Sequence, residues 1–423
     1  TNDSVLRSFW RKGIENMDHH ESIVTIGMRG DGDMPMTQGT ATELLERIVA
    51  DQRKILEEVS GRPASQTPQL WALYKEVQDY YDKGMRVPDD VTLLLCDDNW
   101  GNIRRLPKLT DKPRAGGYGI YYHFDYVGGP RNYKWINTNN IARVWEQMHL
   151  AYEYGVDKIW IVNVGDLKPM EFPISFFLDY AYNTKKWNED NLRDFYTQWA
   201  REQFGEAHAK EIGEVLRKYS QYASRRKPEL LDEKTYEWDE LERVVDQWRA
   251  LELQANKINN SLPEEYKDAF FELVLHPIKA FTNLHELYLN VALNHANAKD
   301  SVLSANDYAN YAKQLYQNDS LISVQYHQIA NGKWNHMMDQ THIGYTYWQQ
   351  PPVNKLPTLI YLKEGQSRDT SLLRRDNESA KSLIPGNALE NIFYERGQFI
   401  SIRADHWTRA FNLKNIKWKI IPD

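Results

Sequence analysis

The sequence predicts an α/β fold built on a parallel β-sheet. Five short apolar runs have the length and composition of buried strands, and helical patterns separate several of them. The runs are residues 23–28, 70–74, 91–96, 119–122 and 158–162. Each run ends in a small cluster of charged, amide or histidine residues. Because the carboxyl ends of parallel strands meet at one edge, we expect these clusters to form an active-site rim, as in α/β barrels.

The helical patterns between the runs support repeated βα units. A helix-like segment covers residues 4–16, and a second pattern at 40–59 opens with a capping-box signature and closes at Gly61. Residues 77–83 form a third pattern, and 141–152 form a fourth that stops before Gly155. Strand-like runs that alternate with such helices are typical of a parallel sheet.

The number of βα units leaves two architectures open. A closed barrel of this class needs eight units, and the sequence provides five. The chain either forms an open doubly wound sheet or represents a barrel whose first three strands are missing from this sequence. We favour the barrel, because the chain opens on a helix-like segment without a preceding strand.

The remainder of the chain changes character after the fifth run. The organisation we predict is the C-terminal part of a TIM-barrel domain at 1–188, an all-helical domain at 189–350, a linker at 351–384 and the start of a C-terminal β domain at 385–423. The long helices of the second domain can also form an oligomer interface. The last segment is too short for a sandwich, so both ends of the chain look cut.

Composition narrows the class of partner. The 423-residue chain has a net charge of −7, and its basic residues are dispersed among acidic ones, which argues against nucleic acid or an anionic membrane surface. Aromatic residues make up 13% of the chain, and such rings either pack in cores or stack on sugar rings. The single cysteine, Cys96, is expected to be a buried and inert thiol.

The first polar cluster combines a guanidinium with carboxylates. Arg29 lies beside Asp31 and Asp33 in a glycine-rich segment, which suits the binding of a carboxylate-bearing ligand; the alternative is an Arg–Asp pair that braces a tight turn. Glycosidic hydrolysis needs two carboxyl groups, and Asp33 and Glu76 can supply them. The alternative for Glu76 is an ordinary carboxylate at the start of a helix.

The later clusters add an amide and a histidine. Asn99 can orient a water molecule, although the acidic residues before it also suit a helix cap, and His123 is more often a hydrogen-bonded structural residue than a catalyst. A metal site is a competing hypothesis. Its potential ligands are His19, His20, Asp31, Asp33, Asp97, Asp98, His123 and Asp125. No zinc-type spacing occurs, so the sequence predicts neither a metal nor another cofactor.

Six segments, taken in order, resemble glycoside hydrolase family 115. They are GMRGDGDMPM at 27–36, LYKEV at 73–77, CDDNWGNIRR at 96–105, YHFDYVGGP at 122–130, WIVNVGDLKP at 160–169 and QTHIGYTYW at 340–348. The resemblance implies a xylan α-1,2-glucuronidase that removes glucuronic acid or its 4-O-methyl ether with inversion. It also implies xylan or glucuronoxylan oligosaccharides as partners, a homodimer through the helical domain, and a secreted or periplasmic location.

The same resemblance assigns roles to individual residues. It makes Glu76 the general acid, and it makes Asp33, together with Asn99, the group that positions and activates water; the acid and base labels can be exchanged. Arg29 would contact the glucuronate carboxylate. Further sugar contacts would come from His123, Tyr126 and Asn163. In an inverting enzyme the two carboxyl groups lie roughly 6.5 to 9.5 Å apart, whereas about 5 Å indicates retention.

Overall fold

The computed structural model describes residues 2–18, 20–36, 41–110, 112–126, 135–346, 349–363, 365 and 418, without the side chains of Asp33, Trp238 and Asp239. The chain divides into two compact units. Unit 1 comprises Thr1–Tyr126, Arg143–Gly165 and Phe177–Thr184. Unit 2 comprises Val127–Ala142, Asp166–Phe176 and Lys185–Asp423. The linear domain boundaries expected from the sequence stay a prediction.

Unit 1 contains a five-stranded parallel sheet. Its strands are β1 (Val24–Thr25), β2 (Gln69–Ala72), β3 (Thr92–Cys96), β4 (Tyr118–His123) and β5 (Ile159–Asn163). Their spatial order equals their order in the chain, and every neighbouring pair is parallel. In a doubly wound sheet the order of the strands reverses at a switch point, whereas in a barrel each new strand is added at the same edge of the growing sheet. The described strands therefore form a half-barrel, which confirms the predicted fold class.

Four helices of the first half of the chain follow the predicted patterns closely. They are α1 (Asn2–Met17), α2 (Thr42–Ser60), α3 (Glu76–Asp82) and α4 (Ile141–Glu153). A further helix, α5 (Glu171–Tyr182), lies where the sequence analysis names no pattern. Helix α2 ends as expected at Gly61, which adopts a left-handed conformation with φ 67°. Its predicted capping box is wrong, because the residue before the first turn is Ala41, which carries no capping oxygen.

Burial within unit 1 follows from the parallel sheet. All residues of β3 are buried, as expected for a strand covered on both faces. Cys96 at its end is 1% exposed, so the expectation of a buried cysteine is confirmed. Burial also raises the pKa of its thiol, which disfavours the reactive thiolate. Strand β1 is shorter than the predicted run 23–28, although the backbone N–H of Ile26 still donates to the Leu70 carbonyl at 2.9 Å.

The described part of unit 2 is helical, as predicted. Its helices are α6 (Asp194–Phe204), α7 (Ala209–Ala223), α8 (Trp238–Ser261), α9 (Glu264–Phe270), α10 (His276–Lys299) and α11 (Ser304–Gly332). Helix α10 is the most buried and packs against α8 and α11. Trp248 of α8 stacks on Phe281 of α10 with ring centroids 4.7 Å apart. This stacking anchors the centre of the bundle.

A π-helical turn, Phe271–Leu275, joins α9 to α10 and places a charged cluster in the interior of unit 2. Glu272 in this turn is 4% exposed, and the Lys168 ammonium lies 2.8 Å from its carboxylate while also contacting Glu171. The Tyr326 hydroxyl donates to Glu272 at 3.3 Å. Burial and the charge of Glu171 raise the pKa of the Glu272 carboxyl to about 7, although Lys168 opposes the shift.

Most of the predicted β domain and part of the predicted linker are not described by the structure. The predicted β domain at 385–423, apart from Trp418, and the linker beyond residue 365 lie outside the described residues. Among the residues that are described, no helix is both long enough and apolar enough to cross a membrane.

The raised pKa of Glu272 predicts a pH-dependent stability. A carboxyl whose pKa rises on folding stabilises the protein fully at low pH, and this contribution is lost as pH rises from its ordinary value of 4.5 to about 7. The loss amounts to about 3 kcal/mol at most. Glu272→Gln should therefore reduce the fall in Tm between about pH 5 and about pH 8. The control is Glu264→Gln, which changes an exposed glutamate of α9. An unchanged fall in Glu272→Gln would contradict the prediction.

Candidate active site

The polar clusters that follow the strands of unit 1 meet at the carboxyl edge of the sheet. The register pairs His123 at the end of β4 with Asn163 at the end of β5, and Cys96 at the end of β3 with Tyr121. Residues that continue beyond these strand ends consequently share one rim. The sequence prediction of a common rim is consistent with this register.

Arg29 and Glu76 form a bidentate ion pair at this rim. The Arg29 Nε donates to Glu76 Oε1 at 2.9 Å, and Nη2 donates to Oε2 at 2.8 Å. Both side chains are mostly buried, with 17% and 18% of their surface exposed. The structure thus joins two residues to which the sequence assigned separate roles: the guanidinium predicted to bind a sugar carboxylate already binds a carboxylate of the protein in fork geometry.

The segment that carries Glu76 turns sharply between β2 and α3. Lys75 has φ 47° and ψ −119°, a left-handed conformation that is strained for a residue with a side chain. The ammonium of Lys75 lies 4.9 Å from the centroid of the Tyr74 ring, and the Arg29 guanidinium lies 5.0 Å from the same centroid. Two cations are therefore gathered around one aromatic ring at the rim.

Asp97 and His123 form a second and more deeply buried pair. Their side chains are 0% and 3% exposed, and His123 Nδ1 lies 2.6 Å from Asp97 Oδ1. The other carboxylate oxygen accepts the backbone N–H of His123 at 3.0 Å. Burial raises the pKa of the Asp97 carboxyl, and the hydrogen bonds from His123 oppose the shift without cancelling it. Asp97 therefore fixes the ring of His123 and leaves Nε2 as the nitrogen that can meet a ligand.

Three tyrosines surround the His123 ring. The centroids of Tyr121 and Tyr126 lie 4.3 Å from the imidazole, and Tyr74 lies 5.9 Å away. Burial, with a further contribution from Tyr74, raises the pKa of the Tyr126 hydroxyl. Burial also raises the pKa of Tyr121. These hydroxyls consequently stay protonated at neutral pH and can serve as neutral hydrogen-bond donors to a sugar.

Asn163 connects the ends of β4 and β5. Its backbone carbonyl accepts N–H groups of Phe124 at 2.8 Å and of Asp125 at 3.2 Å, and its side chain hydrogen-bonds to Tyr121. The predicted sugar contacts His123, Tyr126 and Asn163 are therefore linked through the tyrosine cluster. Their roles toward a sugar stay predictions.

Asn99 follows β3 in a loop that Asp98 closes. The Asp98 Oδ1 accepts the backbone N–H groups of Trp100 at 2.8 Å and Asn102 at 3.0 Å. This arrangement is a closed loop, and the sequence alternative of a helix cap is wrong, because no helix follows among the described residues up to 110. The loop fixes the backbone on either side of Asn99, whose role with water stays a prediction.

Asp33 belongs to a short helical turn, Asp31–Asp33, which is closed by a hydrogen bond from the Gly30 N–H to the Met34 carbonyl at 2.7 Å. Its side chain is outside the described part of the structure. The separation between the Asp33 and Glu76 carboxyl groups, and with it the expected inversion, stays a prediction. Within the described residues, no three His, Cys, Asp or Glu side chains are grouped as a metal ion would require.

Sequence reasoning assigned no role in this arrangement to Asp97, Tyr74, Lys75 or Tyr121. It names Asp97 as a potential metal ligand and as part of an acidic helix cap, and it names Tyr74 and Lys75 only as residues that precede Glu76. A signal for Tyr74 was present, because aromatic residues at the ends of neighbouring strands tend to meet at the rim. The backbone conformation of Lys75 had no sequence signal, because glycine is the usual residue in that conformation.

The fold and the site together define a class of protein. A parallel half-barrel whose strand ends gather a carboxylate–guanidinium pair, an aspartate–histidine pair and tyrosines is typical of barrel enzymes that act on polar ligands such as sugars. The sequence model of glycosyl hydrolase family 115 matches residues 1–230, and the chain belongs to that family. A comparison with curated proteins finds no match.

A solved structure is also similar to this chain. It is that of a family GH115 4-O-methyl-α-glucuronidase, BtGH115A, described as having specificity for decorated arabinogalactans. The TM-score is 0.73 and the sequence identity is 29%. The match covers 84% of this chain and 49% of the other, so this chain spans about half of the length of that structure.

The Asp97–His123 pair predicts a defined imidazole tautomer. The Asp97 carboxylate contacts both the backbone N–H and Nδ1 of His123, whereas the side chain of Asp97→Asn has only one acceptor oxygen. The backbone N–H is always a donor, so that oxygen should accept it. The amide NH₂ should then face Nδ1, which moves the ring proton to Nε2. Nitrogen NMR of ¹⁵N-labelled histidine should detect this change. Asp98→Asn is the matched control, because Asp98 binds its own loop. An Nδ1–H tautomer that persists in Asp97→Asn would refute this interpretation.

Proposed function

We propose that this chain carries α-glucuronidase chemistry: the hydrolytic removal of α-1,2-linked glucuronic acid, or its 4-O-methyl ether, from a plant polysaccharide. Family membership supports glycoside hydrolysis. The proposed substrate carries a carboxylate on an otherwise neutral glycan, so the site needs a cationic group that distinguishes it from ordinary sugars.

The bidentate ion pair between Arg29 and Glu76 is the observation that carries the proposal. The guanidinium holds a carboxylate through two hydrogen bonds in a mostly buried position. A uronate has the same planar group, so it can take the place of the Glu76 carboxylate in the guanidinium fork. Recognition of the substrate would then release Glu76 from Arg29 toward the glycosidic oxygen.

The roles of the carboxyl groups follow the logic of inverting hydrolysis. Glu76 acts as the general acid and protonates the leaving oxygen, while Asp33, with Asn99, positions and activates the attacking water. The labels of acid and base can be exchanged between the two carboxyl groups. His123, held by Asp97, and the hydroxyl of Tyr126 hydrogen-bond to the sugar, and Asn163 supports the same surface.

Two polysaccharides are candidate substrates. Xylan or glucuronoxylan is the substrate class that the sequence resemblance implies, and the similar solved enzyme is described as specific for decorated arabinogalactans. Both carry the uronate that Arg29 would recognise, so the charged sugar is common to the two alternatives. We favour xylan, the substrate class that the sequence resemblance implies. We also propose a secreted or periplasmic location, because such polymers are too large to enter a cell intact. A homodimer formed through the helical domain is a further proposal.

A glycan-binding protein without turnover is the second candidate function. It is favoured by the closed Arg29–Glu76 pair, in which the proposed acid is engaged by a cation. Release of glucuronic acid from glucuronoxylan by the protein, and its loss in Glu76→Ala, would support the enzyme. Glycan binding without any release would support the second candidate.

Arg29→Ala should impair glucuronide turnover far more than turnover of a neutral glycoside with the same leaving group. Loss of two charge-assisted hydrogen bonds corresponds to roughly 100-fold in kcat/KM. Arg29→Lys keeps the charge but loses the fork, so an intermediate loss is expected. Equal losses on the charged and neutral substrates would remove Arg29 from substrate recognition.

The anomer that is released first tests whether hydrolysis proceeds with inversion. Because the glucuronide bond is α, an inverting enzyme first releases the β-anomer, and proton NMR recorded early in the reaction distinguishes the anomers before they equilibrate. We expect β-glucuronic acid as the initial product. An initial α-anomer would instead indicate retention and require carboxyl groups only about 5 Å apart.

A further inference from the structure

The turn between β2 and α3 holds a residue type that its backbone conformation disfavours. Lys75, with φ 47° and ψ −119°, is the first central residue of a turn closed by the Val77 N–H, which donates to the Tyr74 carbonyl at 3.0 Å. These angles are those of a type II′ turn, where glycine is strongly preferred at this position. A lysine persists there only if surrounding contacts hold the peptide in place.

Arg104 supplies such a contact from the loop that follows β3. Its Nη1 donates to the carbonyl oxygen of Lys75 at 3.1 Å, and its Nη2 lies 3.8 Å from Asp79 in the first turn of α3. The backbone N–H of Arg104 donates to the carbonyl of Cys96, the last residue of β3, at 3.3 Å. Arg104 therefore connects the end of β3 to the strained peptide that precedes Glu76.

We propose that Arg104 is a positioning residue that holds the Lys75–Glu76 peptide in its strained turn and thereby places both side chains at the catalytic rim. This inference rests on the proposed function for its consequence in catalysis, but the clamp itself is a structural claim. Arg104 touches no reacting group; it acts through the Lys75 carbonyl.

The strain explains why the clamp matters. The Lys75 carbonyl also accepts the backbone N–H of Gln78 at 3.2 Å, but that contact lies within the turn and α3 themselves. Without the hydrogen bond from Arg104, the Lys75 peptide loses its tie to the loop after β3 and can relax toward an ordinary conformation, which rotates the peptide that carries Glu76. Displacement of a proton donor by about 1 Å costs roughly 100-fold in rate. The expected defect is in kcat more than in KM, because the group proposed to bind the uronate, Arg29, belongs to the loop after β1 and not to the turn that Arg104 holds.

Arg105 offers a matched control. It also carries a guanidinium and contacts the same helix, through an ion pair with Asp82 and a position 5.0 Å from the Tyr81 ring centroid. Arg105→Met therefore removes the same charge and a contact to α3 while the hydrogen bond to Lys75 is retained. We expect Arg104→Met to lower kcat by roughly 10- to 100-fold, and Arg105→Met to lower it by less than about 3-fold.

Two further variants separate positioning from general stability. Arg104→Lys can donate to the same carbonyl and should restore part of kcat. In a Lys75→Gly background the conformation is no longer strained, so adding Arg104→Met should lower kcat much less than it does with lysine present. A role of Arg104 in stability alone would give equal losses in the two backgrounds, and that result would overturn the proposal.

Hydrogen exchange tests the clamp without turnover. Peptides that cover residues 74–80 should exchange faster in Arg104→Met than in the native protein or in Arg105→Met. Faster exchange in Arg104→Met, together with a native protein that releases no glucuronic acid, would keep the clamp and reject the proposed function. Exchange in Arg104→Met equal to that in Arg105→Met would overturn the clamp, whatever the activity.

Discussion

The bidentate ion pair of Arg29 and Glu76 requires that two loops from adjacent strands meet within hydrogen-bond distance. The register between β1 and β2, in which Val24 pairs with Gln69, sets this meeting. A shift of one residue would turn the side chains that follow each strand to the other face. The ion pair between Arg29 and Glu76 therefore depends on the parallel register of the half-barrel, which defines the geometry of the rim.

Two acid groups of the rim, Asp97 and Glu76, lie in contrasting environments. Asp97 is fully buried and bound to a histidine, and burial raises the pKa of its carboxyl. Glu76 is partly exposed and bound to a guanidinium. Asp97 is suited to hold an imidazole in one orientation, whereas Glu76 can exchange one partner for another when a ligand enters. Such different environments give two similar side chains distinct roles within one site.

The architecture was predictable because apolar runs and helical spacing are local signals. All five strands lie where the runs predicted them, and the order of the runs became the order of the sheet. The buried partner of His123 was not predictable in the same way. Asp97 and Asp98 are adjacent, and β3 is apolar on both faces, so its sequence shows no alternation that tells which acid turns inward. Only the packing of β4 beside β3 decides between them.

The strained turn at Lys75 marks another limit of sequence reasoning. A glycine there would have predicted a type II′ turn, but a lysine predicts nothing of the kind. The conformation depends on Arg104, which lies 29 positions further along the chain. Interactions over that distance are absent from local propensity, and residues that break a local rule are those most expected at functional sites.

On the proposed function, the closed ion pair couples recognition to catalysis. The guanidinium of Arg29 has one fork, so a uronate and the Glu76 carboxylate compete for it. A neutral glycoside offers no competitor, and Glu76 then stays bound to Arg29 and remote from the leaving oxygen. A charged substrate displaces Glu76 through the same group by which it is recognised. Selectivity for uronates would therefore come from the state of the acid as well as from affinity, and part of the binding energy would be used to open the pair.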